Sequence, residues 1–436
     1  MVELLSKQNL ENLQNELDDR LKIRELSELA SHKQVPIHKH SFWYYFGGIS
    51  LFFFVMQMVT GMLLLMHYEP GINTAYASIV KIINDVEFGQ VIRSLHSWAA
   101  NLMVLSVLIH MFSAYFMKAY QKPREFTWIS GAVLLFLTIT FGFTGYLLPW
   151  DEIAYAATKV GIEIAETAPW IPDTALSKAL VWPGSIAAGI LRGGIDLTNL
   201  TIQRFASIHY VILPWIFMAV LGFHVLLVQL HGNTIPKKIK ENKQYRDIPF
   251  FPNFIYEDLF AWLIVFNLLV ITAVLWPWGL EAEADALAEI PSNIHPEWYF
   301  MAPFELLKWM PPNLGPLNGP FLGVMLFGGA SVLLFAVPLW DVKEDVEIFG
   351  IKICSGKTGR IATYYGVFAL FGLIFFTLFA YQCLDHSDFC KAVHGFLPNL
   401  LKPVNALLEP LTIWVNNLGA VPAGEVSEVV KETVAK

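Results

Sequence analysis

Charge is scarce in this chain. Only 15% of its 436 residues are Asp, Glu, Lys or Arg, where a soluble domain carries about 25%. With 55% hydrophobic residues and a mean hydropathy of +0.49, that shortage excludes an ordinary cytosolic enzyme and a disordered tail. There is no basic surplus either. The 29 Lys and Arg stand against 37 Asp and Glu, a net charge of −8, so no nucleic-acid partner is expected. Cysteine is almost missing: three residues exclude a disulfide scaffold and a cysteine-only zinc or iron–sulfur cage. No apolar stretch occupies the first forty residues, so no cleavable signal peptide is expected. No internal repeat or low-complexity segment stands out.

What is present is long uncharged runs. A bilayer core needs about 20 apolar residues in a helix. Seven stretches qualify, 41–66, 94–117, 126–150, 205–236, 259–280, 309–340 and 361–384, lettered A to G. Backbone groups in lipid must bond within their own segment, so each is expected to be helical. The fold class is all-α, a polytopic transmembrane protein. A four-helix bundle (A–D) is followed by three or four more helices.

Basic residues set the direction. The B–C loop has Lys118, Lys122 and Arg124. The D–E loop has Lys237, Lys238, Lys240, Lys243 and Arg246, and the F–G loop has Lys343, Lys352, Lys357 and Arg360. The E–F loop has only Lys308 against Glu281, Glu283, Asp285 and Glu289. The N-terminus, B–C, D–E and F–G are therefore expected on the cytoplasmic (n) side of a cell inner membrane. The other loops are expected on the p-side. The expected divisions are an amphipathic cytoplasmic segment at 1–40, with Leu10, Leu13, Leu17 and Leu21 at helical spacing, and a bundle at 41–236. A C-terminal membrane domain follows at 237–384, then a p-side or interfacial tail, or weak eighth helix, at 385–436. The long C–D connection reads as short helices against the p-side surface, since loops of that length are usually functional.

Histidines carry the chemistry. Stretch B holds His96 and His110, fourteen apart, and stretch D holds His209 and His224, fifteen apart. Fourteen residues are close to four turns, so both side chains leave one face, roughly 21 Å apart along the axis. Two such helices facing each other offer one imidazole each at two levels, the arrangement of bis-histidine haem ligation. Fifteen residues overshoot by about 60°. Pro214 lies between the two histidines and interrupts the ladder, so a kink or wide turn there restores the common face. Ionisable residues are costly in lipid and mark functional sites. Glycines repeat the period: Gly47 and Gly61 in A, Gly131 and Gly145 in C. They offer bare backbone where the face of a macrocycle meets a helix. Arg93, one turn before His96, and Arg204, near His209, are candidate partners for haem propionates at the p-side level.

These residues resemble cytochrome b, the haem subunit of quinol-oxidising complexes. The matching pieces are His96 and His110, Gly131 and Gly145, Gly-Tyr-Leu-Leu-Pro-Trp at 145–150, Arg204 with His209, and Pro-Glu-Trp-Tyr at 296–299. The fifteen-residue spacing in D, and Lys-Pro-Arg-Glu at 122–125 followed by Thr-Trp, are similar to the plastid type. Both halves are fused here, as in the mitochondrial type. Tyr45 stands where the plastid type attaches a further haem through cysteine, so no third haem is expected. Ser113 stands where the family has an arginine for the n-side haem, and Lys118 or Arg124 are the substitutes available.

The resemblance implies a Q cycle. Quinol is oxidised on the p-side in a pocket lined by the C–D loop, the end of C with Tyr146, and Pro296, Glu297, Trp298 and Tyr299. One electron leaves to a Rieske iron–sulfur protein. The other passes through two non-covalent b haems, the first held by His96 and His209 and the second by His110 and His224, to a quinone near Gln229, His231 and Asp258. Glu297, with Tyr299 and Tyr146, is the implied catalytic group. A cytochrome c1-type subunit and a homodimer of the complex are the implied partners, besides the lipid bilayer. Two other readings compete. A dihaem membrane anchor of another respiratory dehydrogenase lacks the second half with Glu297. A transporter with buried histidines needs no glycines at the histidine period. Finally, Cys383 and Cys390 flank the p-side end of G, a compartment that permits a disulfide; Cys354, on the other side, is expected to be free.

Overall fold

The structure is a computed structural model. It describes residues 33–166, 183–194, 196–285, 287, 294–341, 346–348, 351–353, 355–384 and 387–417. The leucines of the N-terminal segment, the middle of the C–D connection and Cys354 lie outside the described residues. The larger helices are α1 (Tyr45–Leu65), α2 (Ala75–Asn84), α3 (Gly89–Phe116), α4 (Glu125–Tyr146), α5 (Glu152–Glu166), α6 (Pro183–Arg192) and α7 (Asn199–His231), followed by α8 (Ile255–Leu275), α9 (Trp298–Trp309), α10 (Gly319–Phe335), α11 (Ser355–Gln382) and α12 (Asp388–Asn417). Strands among the described residues form three two-stranded pairs only, so the expected all-α class holds.

Among the described residues six helices are long and apolar enough to cross a bilayer: Ser41–Leu65, Gly89–Phe116, Glu125–Tyr146, Asn199–His231, Phe250–Leu275 and Arg360–Gln382. They correspond to stretches A–E and G. Large apolar side chains such as Phe136, Trp215, Phe260 and Phe368 are exposed on them, as a lipid-facing surface requires. Stretch F departs from expectation. Residues 309–340 do not form one span. α9 ends at Trp309, a hairpin pairs Asn313–Leu314 with Leu317–Asn318, and α10 is a separate 17-residue helix. The reason lies in Pro311, Pro312, Asn313, Gly315, Pro316, Asn318 and Gly319, which are turn formers that lack of charge alone does not reveal. At Gly319 the chain passes so near the Pro311 carbonyl that no Cβ fits.

The bend expected in stretch D is real, and it is a wide turn. Ile208–Ile212 is π-helical, and the Leu213 N–H reaches the Ile208 carbonyl. A π turn takes in one extra residue. Pro214, next along, has no N–H for the Tyr210 carbonyl, so the α ladder cannot run on through it.

The chain divides into two compact units. The first comprises 1–61, 91–131 and 221–278, and the second 62–90, 132–220 and 279–436. In the first, β1 (Gln34–Ile37) pairs antiparallel with β2 (Arg246–Pro249). Cations cap the carbonyl end of α7. Lys33 Nζ donates to the Val228 carbonyl at 3.3 Å and to that of Gln229, and Arg124 donates to the carbonyls of Gly232 (3.1 Å) and His231 (3.0 Å). Positive charge there opposes the negative end of the helix dipole.

In the second unit, Leu147, Trp150, Tyr155, Ile162, Ile202 and Phe205 form a buried core. The connection after α8 is pinned to its edge. Glu152 N–H donates to the Ala282 carbonyl (2.9 Å), Ala284 N–H to that of Trp150 (3.1 Å), and the Tyr76 hydroxyl to that of Glu281 (2.9 Å). Fully buried Glu305 on α9 meets His394 of α12 at 2.5 Å and Lys308 at 3.6 Å. The expected Cys383–Cys390 disulfide is present and ties the end of α11 to α12. The described part of the tail forms the 30-residue helix α12 despite Pro398, Pro403 and Pro410, and that helix is not among the six candidate spans.

Candidate functional site

Each of the four histidines lies against its period-matched glycine. In the first unit, a Cβ built on Gly47 would stand 3.1 Å from His110 Cε1. On Gly61 it would stand 3.2 Å from His96 Cε1, and on Gly131 3.1 Å from His224 Cε1. In the second unit, a Cβ on Gly145 would stand 2.6 Å from His209 Cε1. The shared period is therefore a steric requirement: any larger residue at these positions presses on an imidazole. His110 and His224 share the first unit and lie within electrostatic reach of each other.

A second pattern was not read from the sequence. The residue before three of the glycines carries a hydroxyl that meets the ring at Nδ1, the atom next to Cε1. Thr60 Oγ1 is 2.9 Å from His96 Nδ1, Ser130 Oγ is 3.0 Å from His224 Nδ1, and Thr144 Oγ1 is 3.1 Å from His209 Nδ1. Before Gly47 stands Phe46, and His110 Nδ1 is buried without a hydrogen-bond partner among the described residues. The signal was available as Thr-Gly, Ser-Gly and Thr-Gly against Phe-Gly.

The expected cations are placed as follows. Arg93 is buried and donates to the Trp278 carbonyl at 2.8 Å. Arg204 donates to the carbonyls of Gly189 and Ile190 at the end of α6. Lys118 Nζ reaches the Tyr120 hydroxyl at 2.8 Å. The Ser113 hydroxyl donates to the His110 carbonyl at 2.8 Å. Tyr45 donates to the Glu257 carboxylate.

A carboxylate site lies in the second unit. Glu297 occupies the N-cap of α9, and its carbonyl accepts from Phe300 N–H at 2.8 Å. Its side chain is half-buried. Loss of water pushes its pKa up to about 7, and the negative charge of Asp151 adds to the rise. Tyr146 and Tyr381 lie within electrostatic reach of the carboxylate. Tyr299 is pushed well above the ordinary phenol range, by burial first and then by Glu297, so its hydroxyl stays protonated. That hydroxyl touches α4 at Gly142, where no Cβ fits. Trp298 stands edge-on to Tyr299 at 5.6 Å. The structure thus brings Tyr146, Glu297, Trp298 and Tyr299 into one neighbourhood, with Asp151 as an addition that sequence reading missed.

In the first unit, Asp258 of α8 abuts α1 at Gly48, the residue after the glycine that faces His110. Its Oδ1 is buried without a hydrogen bond, as is His231 Nδ1. Gln229 is exposed. Among the described residues no hydrogen bond joins Asp258 to His231 or Gln229.

Comparison with known proteins decides the family. Residues 31–232 match the family described as cytochrome b/b6/petB, and residues 283–355 match cytochrome b(C-terminal)/b6/petD. A cytochrome bc complex cytochrome b subunit of Chlorobaculum thiosulfatiphilum is 43% identical over 336 residues, 75% of this chain and 74% of that one. The chain belongs to the cytochrome b family. A cytochrome b6 of Cyanothece sp. is 37% identical over 219 residues, half of this chain and 93% of its own length. A chain of a hyperthermophilic respiratory Complex III shares the fold, with a TM-score of 0.71 at 24% identity, over 93% of this chain and 99% of that one. This cytochrome b is thus a multi-pass membrane electron-transfer protein of the bc-complex type, with both halves in one polypeptide.

The residues fit haem. Four bare glycine positions face four imidazoles, and a hydroxyl meets Nδ1 in three of them, so Nε2 is the nitrogen that would ligate iron there.

Proposed function

We propose that this cytochrome b is the catalytic subunit of a quinol–cytochrome c oxidoreductase and works by a Q cycle. Quinol is oxidised beside Glu297 on the p-side, and quinone is reduced beside Asp258 on the n-side. Two non-covalent b haems, one held by His96 and His209 and the other by His110 and His224, would supply the one-electron carriers between these sites. Arg93 and Arg204 are the cations proposed for the p-side propionates. The proposed neighbours in the assembly are a Rieske protein, a cytochrome c1-type subunit and a second copy of the complex, in an inner membrane with the N-terminus cytoplasmic.

The observation that carries the proposal is the half-buried Glu297 side chain at the N-cap of α9, with Asp151, Tyr146, Tyr299 and Tyr381 within electrostatic reach. A base works best with a pKa near the operating pH. Near pH 7 the Glu297 carboxylate accepts a hydrogen bond from a quinol hydroxyl, takes its proton and passes it outward. Pro296 fixes the backbone ahead of it, and the Trp298 and Tyr299 rings wall the pocket and exclude water. Protonated Tyr299 is a donor for the opposite side of the substrate. On the n-side, Asp258, with His231 and Gln229 on the last turn of α7, is proposed to deliver protons to quinone. A dihaem anchor of another dehydrogenase has no use for the second half, which here matches its own family.

Glu297→Gln tests the reading. It should keep both haems and the fold yet slow quinol oxidation by about 10²-fold, the lower end of general-base effects. The measurement is steady-state quinol:cytochrome c activity with flash-induced reduction of the p-side haem. Wild-type rates at full haem content would remove Glu297 from the mechanism.

A further inference from the structure

Each hydroxyl beside a histidine also has a carbonyl of its own helix within reach. Thr60 Oγ1 lies 2.6 Å from the Met56 carbonyl, Ser130 Oγ 3.0 Å from that of Thr127, and Thr144 Oγ1 2.8 Å from that of Thr140. Each is an earlier carbonyl of the same helix. A carbonyl can only accept, so a hydroxyl that bonds both groups must give its single proton to the carbonyl. The hydroxyl then turns a lone pair to the imidazole, and the contact to Nδ1 is a hydrogen bond only when Nδ1 carries the hydrogen. The carbonyls of Phe141 and Thr127 also lie within hydrogen-bond reach of His209 and His224.

We propose that Thr60, Ser130 and Thr144 are positioning residues: each locks its histidine with the hydrogen on Nδ1 and the lone pair on Nε2, and by doing so lowers the reduction potential of the haem that histidine ligates. This rests on the reading of the four histidines as haem ligands. An acceptor on Nδ1–H raises the basicity of the ligating nitrogen, and hydrogen bonding behind an axial ligand is a recognised lever on haem potential. A more basic ligand favours the oxidised iron. The support is uneven. His96, His209 and His224 each have a hydroxyl, whereas His110 has none among the described residues. The Phe46 ring that stands in its place packs on Phe42 and Trp43. Three of the four proposed ligands therefore carry a tuning hydroxyl and the fourth does not.

The test is a spectroelectrochemical titration of the purified complex carrying Thr60→Val, Thr144→Val or Ser130→Ala. Valine keeps the shape of threonine and cannot accept. Each variant should make one haem easier to reduce, by about threefold to tenfold in the equilibrium constant, the larger figure being about 59 mV for one electron. Thr60→Ser and Thr144→Ser restore the acceptor and should titrate as wild type. Phe46→Thr should act in the opposite sense on the haem of His110. A valine variant that loses a haem which the serine variant keeps also supports the lock. Val variants with full haem and unshifted potentials would overturn it, as would Ser variants that shift as far as Val. A wild-type count other than two b haems overturns the ligand reading itself, before any potential is measured.

Discussion

The histidine cradles and the Glu297 site are made of different kinds of structure. The cradles are built from long helices in fixed register. Gly131 and His224 meet on α4 and α7, where the π turn at Ile208–Ile212 absorbs the extra residue of the fifteen-residue spacing. The Glu297 site is assembled from the N-cap of a short helix, the end of α4 and the residue before α5. Its chemistry comes from burial and a neighbouring charge, neither of which has a period. One region should therefore fail abruptly when a residue is changed, and the other by degrees.

The largest effect expected is on the cradles. His224→Ala removes a proposed haem ligand, so one haem should be lost and the other kept. Haem content by pyridine haemochrome should halve, with one b-band transition remaining in the reduced-minus-oxidised spectrum. His110→Ala should remove the same component. If the two variants lost different components, the pairing by level would be wrong.

This contrast also sets what the sequence reveals. The spans A–E and G, the period-matched glycines and the compensation at Pro214 are all legible, because helix geometry converts spacing into position. Stretch F is not, because absence of charge says nothing about turns, and Pro311, Pro312 and Gly315 decide the outcome. The π turn sits at 208–212, just ahead of Pro214, so its place is readable and its type is not. The hydroxyl partners are visible as residues but not as contacts. Only the structure shows Thr144 turned toward His209. Asp151 is out of reach, since its link to Glu297 spans 146 positions of sequence and belongs to no motif. Likewise the approach of Asp258 to Gly48 depends on how α8 packs on α1 within the first unit.

A middle-sized effect is expected where the two kinds of structure meet within the second unit. Gly142 lies in the regular part of α4, three residues before Gly145, and Tyr299 fills the space its missing side chain leaves. Gly142→Ala should push the Tyr299 hydroxyl outward without touching His209. Quinol oxidation should fall about tenfold, short of the roughly 10²-fold that a 1 Å misplacement can cost. Haem content and both potentials should stay as in wild type. A Gly142→Ala variant that lost a haem would show that the cradle and the carboxylate site are one mechanical unit, and would erase the contrast.

The smallest effect isolates the charge from the burial. Glu297 is raised from 4.5 to about 7, with burial the larger cause and Asp151 the second. With Glu297 acting as the carboxylate, as proposed, quinol oxidation should rise with pH through about 7 as it loses its proton. Asp151→Asn removes a like charge, which makes the carboxylate easier to form, so the limb must move to lower pH. Burial remains, so the shift should be under about one unit. The amide oxygen of Asn still accepts from Ala154 N–H, which Asp151 Oδ1 holds at 2.9 Å, so the start of α5 is kept. The measurement is the pH dependence of quinol oxidation in the two proteins at equal haem content. An unmoved limb would mean that burial alone sets the base, whereas a move to higher pH would mean that Asp151 serves the proton's exit more than it repels Glu297.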